Sequence, residues 1–527
     1  MQIAGLHSSH DCSFAILDDG KIIAHLELER YLREKEPTDD GFLFFKNYWV
    51  LPDHIRHFTE VCDKWKIRYS KSREEMFELS KEGGYCEVGH HQSHAANAFF
   101  SSNFDDALII TIDGGGIDRR DDGSEIITAF TVWEGKGNKI EKIEILHESE
   151  MNMGMAWSNF TKDIFGLSTG YPAGAQMGTV MAMAAFGEPK YVDKFVQIAG
   201  KPELGVKQNL IQNAPFRVIA QESEQGAFDV AASIQLATEI VLKELMEKYV
   251  NKTKSRNLCL SGGTTLNSSM TGKMFDWFEG KIDNIYACPV PYDSGLAIGS
   301  AQYYWHHVLN KERVKWEDNA SPYLGYVYQK AVIEKTILSM FQDEVVYREC
   351  SDDEVLDMLE DQKIISVFGG GSESGRRALG NRSILADPRS PKMKDLINEK
   401  VKHRQWFRPF APSIIREEVK NWFVRDIDSP YMSFCVKFKD EVKEKVPAVL
   451  HKDGTARLQT VTENDNPWYY NFIKKWGDRT GVPIVLNTSF NDREPIVETP
   501  QHAINCFLRT NIDCLYFFDT NTLVQKK

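Results

Sequence analysis

The sequence lacks any apolar run near the ~20 residues that a membrane-spanning helix needs. Its nine cysteines in 527 residues are scattered, odd in number and never spaced as CxxC. That excludes a zinc ribbon and gives no disulfide framework; reduced thiols in a cytoplasmic protein are expected. The opening MQIAGLHSSHDC has no basic region ahead of an apolar stretch, so no secretory signal is expected. Positive charge is in deficit, with 63 Lys and Arg against 76 Asp and Glu and a net charge of −13. General duplex nucleic-acid binding, which needs a dominant basic surface, is therefore not expected. What is present is an ordinary globular composition, 42% hydrophobic and 26% charged, long enough for about three domains or two large ones.

The first residues read as strand, turn, strand: Ile3 to Leu6, then Ser13 to Leu17, the turn Asp18-Asp19-Gly20, and Lys21 to Leu28. A related pattern returns at Ala107 to Ile112 (ALIITI), followed by Asp113-Gly114-Gly115-Gly116 as a flexible turn and a strand from Ile126 to Trp133. Two such copies about 100 residues apart suggest a duplicated α/β module, a kind that often binds a nucleotide between its copies. Residues 227–250 carry apolar positions at three- and four-residue spacing and predict a helix. Two strand–loop–helix units follow, around Leu258 to Leu260 and Ile285 to Val290, and predict a parallel, doubly wound sheet. A polar, aromatic stretch from Asn310 to Val332 reads as a junction, beyond which Ile364 to Phe368 opens a second α/β region rich in Arg and Lys.

Four residues suggest a metal site. His90 and His94 in GHHQSHAANAFF stand at i and i+4 on one helix face, with His91 turned elsewhere. Asp113 ends an apolar strand, and Asp293 lies between a strand end and a helix start. A buried carboxylate needs a partner or a cation, and two His with two Asp suit Fe, Mn, Zn or Mg. Each aspartate alone also reads as a helix or turn cap. Gly262, Gly263 and Asn267 in SGGTTLN form a strand-to-helix turn that suits phosphate or ribose, or is simply tight; it lacks the P-loop lysine. In the second half, Arg377 in GRRALGNRS, Lys402 and Arg408 in KHRQWFRPF, Arg457 in DGTARLQT and Ser489 in LNTSFN set cations among Gly, Pro and aromatic residues. That interleaving favours an anion pocket over an exposed charged helix.

At these segments, together with SSHDCSFAILDDGKIIAHLELER, TIDGGG, PYDSGLAIGSA, TGVPIVLNTSFN and EPIVETP, the chain resembles the O-carbamoyltransferase family that includes nodulation protein U and the tobramycin and novobiocin enzymes. The resemblance spans nearly the whole chain. It implies a duplicated actin/Hsp70-like ATPase domain with a metal site over residues 1–325, and a YrdC-like α/β domain over 345–527. It implies that the second domain makes carbamoyl-adenylate from carbamoyl phosphate and ATP, with Mg²⁺ on the nucleotide, and that the first passes the carbamoyl group to a hydroxyl of a small-molecule or nucleotide acceptor. On this resemblance His90, His94, Asp113 and Asp293 would hold Fe²⁺ or another divalent ion. His10 and Lys35 would line the same site, handling the acceptor proton or the adenylate phosphate. Arg377, Lys402, Arg408, Arg457 and Ser489 would bind carbamoyl and phosphate groups. Two positions depart from the family: Gly371 where an Arg is usual, and Met177-Gly178-Thr179 in place of Glu-Gly-Lys. The rival readings are a sugar-kinase-like or nucleotide-hydrolysing enzyme of the same superfold, and a nucleotide-gated scaffold. No motif selects the acceptor; a homodimer is the one assembly entertained.

Overall fold

Asp-Gly turns set the first hairpin: Asp19 (φ 43°) and Gly20 (φ 89°) take the two left-handed positions of a tight two-residue loop. In the computed structural model, which describes residues 1–37, 55–62, 78–169, 174–199, 206–316 and 320–527, that loop joins β2 (Ser13–Asp18) to β3 (Lys21–Glu27). With β1 (Gln2–His7), β4 (His57–Cys62) and β5 (Gly84–Gly89) they form a sheet in the order β3-β2-β1-β4-β5. The second sheet uses β6 (Asp106–Arg119), β7 (Glu125–Lys136), β8 (Lys139–His147), β9 (Asn257–Ser261) and β10 (Asn284–Ala287), in the order β8-β7-β6-β9-β10.

The two sheets are copies in order and in sense. In each, the first three strands are antiparallel neighbours and the last two run parallel to the first. This is the strand plan of the actin/Hsp70-like fold, and the expected duplication is what the chain contains. The two later strand–loop–helix units supply the parallel strands expected of them, β9 against β6 and β10 against β9, while β7 and β8 return as hairpins and make the whole sheet mixed. The Asp113-Gly114-Gly115-Gly116 run differs too: it is a bulge inside one long strand, with pairing lost after Ile112 and resumed at Gly116. Helix α1 (His90–Phe100) follows β5, and α2 (Leu296–Gln302) follows β10, so the copies also end alike.

The chain divides into two units, Met1–Glu29 with Lys35–Ala320, and Arg30–Glu34 with Ser321–Lys527. Positions 317–319 of the expected junction lie outside the described residues. The second unit is built on a nine-stranded mixed sheet among the described residues. Its strands are β11 (Val345–Glu349), β12 (Ile365–Phe368), β13 (Arg382–Ala386), β14 (Ala411–Ile415), β15 (Phe434–Lys437), β16 (Thr455–Val461), β17 (Ile484–Ser489), β18 (Cys514–Phe517) and β19 (Thr522–Lys526). Their order is β11-β19-β18-β12-β13-β17-β14-β16-β15. Trp476, Tyr469, Ile473 and Tyr516 fill the core beneath it. Among the described residues no helix is long and apolar enough to cross a membrane.

Candidate metal centre and anion site

The duplicated plan brings the four metal-ligand candidates to one point. His90 and His94 lie on the helix after the last strand of the first sheet, while Asp293 precedes the corresponding helix of the second. Asp113 leaves the ladder at the bulge of β6. His94 Nε2 is 2.9 Å and His90 Nε2 3.3 Å from Asp113 Oδ2; the same nitrogens are 3.5 and 3.7 Å from Asp293 Oδ1. One ligand atom from each of the four lies within 4.8 Å of all the others. Both histidines are fully buried.

Neighbouring groups aim these atoms. Asp113 Oδ1 accepts from the amides of Gly114 (2.7 Å) and Gly263 (3.2 Å), which leaves Oδ2 facing the imidazoles. Ser261 Oγ donates to the carbonyl of Pro291 and lies 3.1 Å from His94 Nδ1, so it accepts from that ring and holds Nε2 toward the two carboxylates. Burial disfavours charge on Asp113, yet hydrogen bonds from His90 and His94 outweigh it and hold its carboxyl well below the usual range. Burial likewise opposes protonation of His94, and Asp113 and Asp293 overcome it and raise its pKa. Two imidazoles and two carboxylates drawn this close form a donor set that fits a divalent ion of N/O preference. Thiolate does not compete: burial pushes the nearby Cys288 thiol up to about 12.

His10 stands at the same centre, its Nε2 3.3 Å from the other oxygen of Asp293 and its Nδ1 3.4 Å from Asp11. It is about a third exposed where Asp293 is buried, so it sits on the accessible side. Lys35 is exposed, whereas His90, His94 and Asp293 are buried and Asp113 is partly so. Several polar groups of the Gly262–Asn267 loop are used internally. Gly262 N donates to Pro291 O at 2.6 Å, Gly263 N to Asp113, and Asn267 Oδ1 caps the helix Ser268–Trp277 through Met270 N. These bonds are those of a tight turn, and through Gly263 the turn also aims Asp113.

In the second unit the arginines divide into matched and unmatched. Arg382, fully buried, donates to the carbonyls of Gly369 and Asn381 and stacks on Phe368 at 3.6 Å. Arg30 donates to Gly375 O at 2.6 Å and lies 3.5 Å from Glu498. Both are structural. Arg377 and Arg457 have no carboxylate ion partner among the described residues, and the buried Arg457 Nε lacks an acceptor. Burial, then the positive charge of Arg457, Arg376 and Arg408, depresses Arg377 well below its ordinary value. Burial and Arg457 bring Arg408 down to about 10, and Arg404 is lowered by burial, Arg408 and Arg457. Cations packed together against their own repulsion would be stabilised by an anion between them.

Lys402 and Ser489 form a separate pair. The buried Lys402 ammonium donates to Ser489 O (2.5 Å) and to Asn491 Oδ1 (2.7 Å) and O (2.9 Å), so it braces the Ser489 turn. Sequence reasoning missed Glu373, whose Oε1 accepts from the amides of Leu379, Asn381 and Arg382 and shapes the loop bearing Arg377. An acid between two serines carries no local signal of that role.

The family's usual arginine has no room at position 371. A Cβ there would lie 2.7 Å from Gly325 O and 2.8 Å from Tyr323 O. Gly371→Arg is expected to destabilise the protein by about 1–3 kcal/mol through overpacking, read as a lower thermal midpoint with no gain in anion affinity.

Residues 80–302 match the family described as Carbamoyltransferase N-terminus, and residues 356–526 match Carbamoyltransferase C-terminus. The chain is 33% identical to nodulation protein NolO of Bradyrhizobium diazoefficiens over 81% of its own length and 77% of that protein's. It is 32% identical to an uncharacterised protein of Synechocystis sp., covering 96% of this chain and 94% of the relative. Among solved structures, HypF of T. kodakarensis aligns at 15% identity and a TM-score of 0.35, over 59% of this chain and 48% of that one. The chain belongs to the carbamoyltransferase family. It is a carbamoyltransferase, with the N-terminal and C-terminal regions of that family in one chain.

Proposed function

We propose that the chain is an ATP-dependent O-carbamoyltransferase that activates the carbamoyl group in the second, YrdC-like unit and transfers it in the first. The observation that carries this reading is the pairing, within one carbamoyltransferase chain, of a four-residue metal-type centre with a group of mutually repelling arginines, of which Arg377 and Arg457 have no carboxylate ion partner among the described residues. Carbamate is a poor electrophile, and attaching it to AMP supplies a leaving group. Carbamoyl phosphate loses inorganic phosphate to water; the carbamate oxygen then attacks the α-phosphorus of ATP, and the bond to pyrophosphate breaks. Arg377, Arg408 and Arg457 neutralise the phosphate charge that builds up, and Ser489, held by Lys402, positions the carbamoyl end. Mg²⁺ accompanies the nucleotide.

In the first unit the acceptor hydroxyl attacks the carbamoyl carbon and AMP departs. His10 takes the hydroxyl proton at Nε2, the nitrogen that otherwise faces Asp293, with Asp11 steadying Nδ1. Lys35 meets the departing phosphate. A divalent ion, Fe²⁺ in this reading, held by His90, His94, Asp113 and Asp293 would supply Lewis-acid polarisation of the carbamoyl oxygen. Gly262, Gly263 and Asn267 shape the floor of that site through Asp113.

The test is mass spectrometry of a panel of hydroxylated acceptors (sugars, polyketides, oligosaccharides and nucleotides) incubated with enzyme, Fe²⁺, ATP and carbamoyl phosphate. Gain of one carbamoyl unit that requires both donors is the expected result. Carbamoylation that proceeds equally well without ATP would contradict the activation step.

A further inference from the structure

The strand that carries Asp113 carries a second buried carboxylate five residues on. Asp118 is 2% exposed, and its oxygens accept the amide protons of His91 at 2.7 Å and Gln92 at 3.1 Å. Those amides belong to the first turn of α1, where helix donors have no partner of their own. The residue preceding the helix is Gly89, which has no side chain to offer; a carboxylate from β6 does the capping and meets the positive end of the helix dipole.

Two glycines make this docking possible. A Cβ on Gly89 would lie 2.1 Å from Asp118 Oδ1, and one on Gly116 would lie 2.1 Å from the His90 ring. Three consecutive features of β6 thus grip the helix. Asp113 meets the Nε2 atoms of His90 and His94, Gly116 lets the His90 ring lie on the strand, and Asp118 holds the first turn.

We propose that Asp118 is a positioning residue for the metal centre, fixing the rotation and height of α1 so that His90 and His94 face Asp113 at ligating distance. This rests on the divalent-metal reading above. A helix free to turn or slide at its start would carry both imidazoles out of register together. Partners that orient ligands without touching the ion typically alter metal affinity by about 10–100-fold.

The experiment is a Co²⁺ titration of the full chain after dialysis against chelator, followed by ligand-field absorption and calorimetry. Asp118→Asn keeps the shape but turns an amide N–H₂ against one helix amide. It is expected to weaken Co²⁺ about 10–100-fold and to change the intensity of the visible bands. Gly89→Ala, which displaces the carboxylate without removing it, is expected to do the same. Circular dichroism checks that both variants remain folded, and the near-isosteric Asn variant decides if the alanine variant does not fold. Wild-type affinity and spectrum in both variants would overturn the role of Asp118 while leaving the metal reading intact. Failure of the wild-type chain to take up one Co²⁺ would overturn the metal reading and this inference with it.

Discussion

Replacing His90 and Asp113 together by alanine is expected to lower carbamoyl transfer by about 10³-fold or more, since Lewis-acid stabilisation contributes several kcal/mol. Pyrophosphate release, assigned to the earlier step, should stay within about twofold of wild type, because the two sets of residues lie in different units. The variant also removes two of the four groups now packed within 4.8 Å, so its bound metal, measured by elemental analysis, should fall to background. Chelation of the wild-type enzyme should reproduce the split: transfer lost, pyrophosphate release retained. A variant that loses metal yet transfers at full rate would mean that the centre is structural. Single substitution of His10 separates proton handling from metal binding. His10→Gln should slow transfer by about 10²–10⁴-fold while leaving metal content unchanged.

The second large effect concerns the arginines. Arg377→Met and Arg457→Met are each expected to cut carbamoyl-phosphate-dependent pyrophosphate release by about 10²-fold or more. Each removes a charge-assisted donor contributing about 1.5–3 kcal/mol, with a further loss where charge develops in the transition state. The same substitutions should raise the thermal midpoint of the unliganded protein. Half-buried guanidinium groups, lowered by desolvation and, for Arg377, by neighbouring arginines, oppose folding, and an apolar side chain of similar length relieves that cost. Arg457→Lys should restore little activity, because an ammonium cannot reproduce a planar fork. Activity and stability therefore move in opposite directions, which a merely structural arginine would not do. Arg382 is the control: its guanidinium is bound to two carbonyls and stacked on Phe368, so Arg382→Met should lower stability and activity together.

Local signals in the sequence carry far for this chain. Alternation and Asp-Gly turns mark the hairpins, and the apolar ALIITI run marks the central strand of the second sheet, because its burial on both faces requires an unbroken apolar sequence. The His90/His94 spacing and two aspartates at strand ends identify a set of four that the structure brings together. What stays hidden depends on distant pairing. Asp113 to Gly116 reads as a turn, since nothing local says that β7 resumes the ladder at Gly116. Lys402 reads as an anion binder, but the acceptors that occupy it lie nearly ninety residues away at Ser489 and Asn491. Asp118 and Glu373 look like ordinary polar-loop acids, and only tertiary packing places each against a row of backbone amides. Arg30, in the first thirty residues, groups with the second unit, where it donates to Gly375 O.

The most direct measurement is the fate of α-labelled ATP given to the purified protein with and without carbamoyl phosphate. Adenylate transfer predicts that labelled AMP accumulates, with an equal amount of unlabelled pyrophosphate, when the second donor and an acceptor are present, with no labelled ADP. Labelled ADP as the product, or a nucleotide left intact while the acceptor is carbamoylated, would contradict it.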